Sequence, residues 1–93
     1  MTPQEAEIIG LQALTHMAKY EDILIAYLQL SGITLEDLKT SAEAPATLGS
    51  ILDYFLQNEK RLLEFCRLEN IAPNQLDLAR QQLPGGEKIP DST

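Results

Sequence analysis

The chain has 93 residues, 44% of them apolar, with 5% aromatic residues and no tryptophan, so it makes at most one domain with a core of Leu, Ile and Ala. Seven Lys and Arg stand against fourteen Asp and Glu, a net charge of −7, which opposes both a nucleic-acid duplex and an anionic membrane surface as partners. The single cysteine, Cys66, excludes an intramolecular disulfide, and the longest apolar run, Ile23 to Leu28, is far too short to span a membrane.

Thr2, Pro3 and Glu5 form a capping-box start: a hydroxyl at N-cap, proline at N1, a carboxylate at N3. They predict a first helix from Pro3 to about Ala18. The opening "MTPQEAE" has neither a basic n-region nor an apolar core, so the expected location is the cytoplasm. A second helix is expected from Glu21 to Ser31, ended by Gly32, which accepts the left-handed conformation of a C-cap. Thr34 with Asp37 offers another capping box, opening a short helix to about Ala42. Pro45 starts a fourth helix that ends near Asn58, and Asn58 then caps a fifth, which Asn70 closes. The sixth runs from Pro73 to about Gln82. The remaining "PGGEKIPDST" has turn and linker composition, so residues 84–93 are expected to form a flexible tail on a domain spanning 1–83.

A shift of 38 residues superposes the apolar skeleton on itself. Leu14 meets Leu52, Leu24 meets Leu62, Leu30 meets Leu68, Ile33 meets Ile71 and Leu38 meets Leu76. Ala13 with Ile51, Met17 with Phe55, Ile25 with Leu63 and Tyr27 with Phe65 fill the gaps. The spacings are helical. The expected fold is therefore all-α: a compact bundle of about six short helices built from two tandem three-helix pseudo-repeats, about 8–45 and 46–83. Two units alone do not make a solenoid, so each is expected to bury its apolar stripe against the other.

The two copies differ on one stripe. Ile23, Ala26 and Leu30 in the second helix correspond to Arg61, Glu64 and Leu68 in the fifth. The second helix is thus apolar almost all the way round. Either it lies at the domain centre, with the N-terminal helix covering the extra face, or Ile23, Ala26 and Leu30 form a face for a protein partner or a second copy.

Little chemistry is encoded. His16, the only histidine, lies on the first helix beside the arc of Ile9, Ala13 and Met17, a place for packing or solvent contact rather than catalysis. Cys66 falls in the apolar arc of its helix, where a free cysteine acts as a small hydrophobe. The pairs Glu21–Asp22 and Glu36–Asp37 sit in first turns, where the helix dipole favours them. No metal-ligand spacing, Ca²⁺ loop, phosphate-cradling glycine loop or nucleophile elbow is present, so no enzyme activity, metal or cofactor is expected. "SGITLEDL" matches part of a helix-turn-helix, but its second helix carries Glu36, Asp37 and Glu43 against the single Lys39, a poor face for phosphate. A nucleic-acid-associated regulator is accordingly the alternative to a small protein-interaction or accessory module.

The stretch "LGSILDYFLQNEKRLLEFCRLENIAPNQLDLARQQLPG", with "LQALTHMAKYEDILIAYLQLSGITLEDL" before it, resembles a small bacterial family of uncharacterised proteins found chiefly in alphaproteobacteria, a domain of unknown function. The resemblance covers about Glu7 to Gly85. It rests on the Leu-rich fourth helix, on Glu59 with Leu62, Leu63 and Phe65, and on the closing Leu83-Pro84-Gly85. These are packing and capping positions, so the resemblance implies a fold and carries over no catalytic or ligand residue.

Overall fold

The first helix starts where its cap dictates. Thr2 N donates to Glu5 Oε1 at 2.8 Å, and Glu5 N donates to Thr2 Oγ1 at 3.1 Å. This is α1 (Pro3–Lys19), the first of six helices in a computed structural model that describes residues 1–86. It is followed by α2 (Glu21–Ser31), α3 (Leu35–Thr40), α4 (Pro45–Leu56), α5 (Glu59–Glu69) and α6 (Pro73–Gln81). Among the described residues there is no strand. A second reciprocal box, Thr34 with Asp37, opens α3. Asn58 Oδ1 accepts from Arg61 N at 3.0 Å to open α5. Gly32 (φ 78) and Asn70 (φ 56) end α2 and α5 in the left-handed conformation.

α1 and α4 form the centre. Ala6, Ala13 and Met17 of α1 meet Leu48, Ile51, Leu52 and Phe55 of α4, all buried. The two helices approach at Gly10, where a Cβ would lie 2.8 Å from Leu48 Cβ, so only glycine permits this closeness. α5 and α6 close over the pair. Phe65 stacks on Phe55 with ring centroids 4.7 Å apart, and Leu76, Ala79 and Leu83 complete the core.

α2 is not the central helix. It packs chiefly on α1, and Tyr27 is its only fully buried residue. The physical reason is that Gly10 lets α1 and α4 meet directly, which leaves no central slot for an apolar helix. Tyr27 anchors α2 instead: its hydroxyl lies 3.0 Å from Ser50 Oγ, and its ring meets Tyr54 edge-on at 5.6 Å.

The C-terminal end of the bundle is tied by Arg80. Its guanidinium forks onto Asp53, Nε to Oδ1 at 2.6 Å and Nη2 to Oδ2 at 2.9 Å, and Nη1 donates to the Pro84 carbonyl at 2.9 Å. A Cβ on Gly49 would lie 2.7 Å from that Nη1, so glycine makes room for the fork. Of the segment 84–93 expected as a tail, residues 87–93 lie outside the described residues.

Candidate interaction face

At 3.6 residues per turn, Asp22, Ile25, Ala26, Gln29 and Leu30 fall within one half of α2. All of these but the half-buried Ala26 are exposed. Leu30 is 65% exposed and Ile25 45% exposed, while Leu24, Leu28 and Tyr27 on the opposite half reach the core. The three residues singled out from sequence therefore divide. Leu30 stands in solvent, whereas Ile23 and Ala26 are half-buried and pack against the core cluster.

Two further apolar side chains, one on α2 and one on α3, are exposed. Ile25 pairs with Leu63 in the apolar skeleton under the 38-residue shift, and both are exposed. Its position one turn after Glu21 and Asp22 was the available signal, since a residue in register with a pair of carboxylates shares their side of the helix. Leu35 of α3, five residues beyond Leu30, is 43% exposed. Between α2 and α4 runs an open groove of about 340 Å³, with Tyr27, Leu30 and Ser31 on one wall and Ser50, Asp53 and Gln57 on the other.

His16 lies deeper than its sequence position beside the core arc indicated. Only 1% of it is exposed, and its ring packs edge-on against Phe65 and Phe55 and tilts against Tyr20. Its Nδ1 lies 2.8 Å from Glu69 Oε2, and Lys19 Nζ lies 3.3 Å from the same oxygen. The His16 hydrogen bond, with Lys19 adding to it, holds the Glu69 carboxyl below the ordinary glutamate range against the opposing effect of burial. Glu69 is the last residue of α5, where the helix dipole disfavours a carboxylate, and both partners come from α1. The cluster thus fastens α1 to the end of α5. His16 also lines a pocket of about 200 Å³ with Ile23, Asn58, Arg61 and Glu64.

Cys66 is buried, and burial pushes its thiol pKa up, which lowers its thiolate fraction and its reactivity. Among the described residues no three His, Cys, Asp or Glu side chains converge as a metal site, and no helix is long and apolar enough to cross a membrane. On α3, Glu36 and Asp37 are exposed, and Asp37 is engaged in the cap of its own helix.

Fold and surface together define a small all-α domain with an edge helix, α2, that leaves Ile25 and Leu30 exposed. A protein family of unknown function, DUF3572, matches residues 3–86, and the chain belongs to it. No curated protein and no solved structure matches the chain.

Proposed function

We propose that the protein is a small non-catalytic interaction module of the cytoplasm, and that its contact face is the outer side of α2. Leu30 and Ile25 form that face, with Leu35 extending it; half-buried Ala26 lies between them, and Ile23 packs against the core at its edge. One observation carries the reading: Leu30 is 65% exposed on a helix that packs chiefly on one neighbour. A partner covering Leu30 would gain about 1–2 kcal/mol for the part of the side chain still in water. The partner is another protein in preference to a second copy, because each copy carries a net charge of −7.

The test is affinity capture from the native cytoplasm using wild type, Leu30→Glu and Leu63→Glu, after their melting curves show that both variants fold. Leu63 is exposed on α5 and serves as the control. A protein retained by wild type and by Leu63→Glu, and lost by Leu30→Glu, is expected. Retention by all three, or by none, would remove α2 as the contact face.

A further inference from the structure

The charges are divided unevenly between the halves of the chain. Residues 1–44 hold seven carboxylates and two Lys or Arg, while residues 45–86 hold five and four. In the second half some cations are engaged: Arg80 forks onto Asp53, and the Arg61 guanidinium lies 3.7 Å from the centre of the Tyr54 ring. In the first half Glu21, Asp22, Glu36 and Glu43 are all exposed, and none of them forms an ion pair among the described residues.

These free carboxylates flank the exposed apolar side chains. Glu21 and Asp22 stand one turn before Ile25, and Glu36 directly follows Leu35. Where α5 places Lys60, Arg61 and Arg67, the positions 38 residues earlier in α2 hold Asp22, Ile23 and Gln29. The α5 surface mixes both signs of charge around Leu63, whereas the α2–α3 surface sets exposed Glu21, Asp22 and Glu36 against the single cation Lys39, one turn beyond Leu35.

We infer that the outer side of α2, with Leu35 of α3, is a docking surface for a basic amphipathic helix of another protein. The inference rests on the interaction reading above and adds the chemistry of the partner. Apolar residues of such a helix, spaced three and four apart, would cover Ile25, Ala26 and Leu30, and its flanking Lys or Arg would meet Asp22 and Glu36. A second copy brings the same acidic rim to the same face and meets like charge. An anionic membrane is opposed for the same reason.

Three synthetic amphipathic peptides of equal length test this, with Leu at identical helical positions and Lys, Gln or Glu elsewhere. Each is titrated into the full chain at low and at physiological ionic strength, with backbone amide shifts mapping the contact. At low ionic strength the Lys peptide is expected to bind about tenfold or more tightly than the Gln peptide, and the gap should narrow as salt screens the charges. Amide shifts should centre on α2 and α3. Leu30→Ser should weaken the Lys peptide about tenfold, Leu63→Ser should leave it unchanged, and Asp22→Asn with Glu36→Gln should erase the preference for Lys over Gln. Shifts spread over the whole acidic surface, or indifference to Leu30→Ser, would overturn the inference.

Equal binding of the Gln peptide at this face would also overturn it while leaving the interaction face standing. Failure of all three peptides would do the same, since the capture experiment decides the broader reading separately. A dimer in sedimentation that Leu30→Glu dissolves would replace the basic partner with a second copy.

Discussion

The halves α1–α3 and α4–α6 place apolar residues alike and close to different degrees. Several positions 38 apart are buried in both halves, namely Gly10 and Leu48, Ala13 and Ile51, Met17 and Phe55, Tyr27 and Phe65, and Leu38 and Leu76, whereas Leu52 and Cys66 are buried and their counterparts Leu14 and Leu28 only half-buried. Yet α5 and α6 both pack on α1 and α4, while α2 packs chiefly on α1 and α3 has no comparably extensive helix partner. The difference lies in the polar side chains. Arg80 and Asp53, which tie α6 to α4, correspond 38 residues earlier to Ala42 and Thr15. Glu69, which receives His16 and Lys19, corresponds to Ser31. Apolar spacing sets where the helices lie, and long-range polar ties set how firmly each half is held.

The largest test of this contrast is in the core. Phe55→Ala removes a ring that stacks on Phe65 and meets His16 and Tyr54, and should cost about 3–5 kcal/mol in urea unfolding. Met17→Ala, its counterpart, is expected to cost less, near 2–3 kcal/mol. The reverse order would show that Met17 carries more of the α1–α4 core than Phe55 does.

Next comes the tie itself. Arg80→Leu, which leaves Asp53 and the Pro84 carbonyl without the guanidinium, should cost about 1.5–3 kcal/mol in the same assay. An unchanged midpoint would show that the fork contributes nothing to closing α6. Gly32→Ala places a Cβ in open space and strains only the backbone at φ 78, so a loss of about 1 kcal/mol is expected. A loss beyond this would mean that the α2–α3 turn is packed more tightly than its surroundings imply.

The pH response is smaller. The lowered Glu69 pKa means that the unfolded chain binds this proton more readily, so the stability is present above the ordinary glutamate pKa of about 4.3 and lost as pH falls through the folded value. Glu69→Gln should therefore destabilise at neutral pH and flatten the acid limb of the stability profile. A variant whose acid limb matches wild type would separate Glu69 from the α1–α5 tie. Leu30→Ser should change stability by less than about 0.5 kcal/mol, because the side chain is already largely in water.

Helix ends were legible in sequence because each is set by chemistry a few residues wide: Thr2 with Glu5, Thr34 with Asp37, Pro45, Pro73, and the left-handed caps at Gly32 and Asn70. The position of α2 was not. Periodicity reports which side of a helix is apolar, and it cannot say that Gly10 would let α1 and α4 meet and keep α2 at the edge. The pairs His16–Glu69 and Asp53–Arg80 were equally hidden, separated by 53 and 27 residues, since no local pattern marks partners that only the fold brings together. Of the proposed interaction face, Leu30 was a candidate in sequence, Ile23 and Ala26 prove half-buried, and Ile25 and Leu35 emerge only from their exposure in the fold.

Native-state amide hydrogen exchange tests the unequal closing of the two halves most directly. Core amides of α2 and α3 should exchange through an opening of lower free energy than those of α4, α5 and α6, leaving α1 and the second half protected. Exchange of all six helices through one opening of equal free energy would contradict it, and α2 would then be as firmly held as α5.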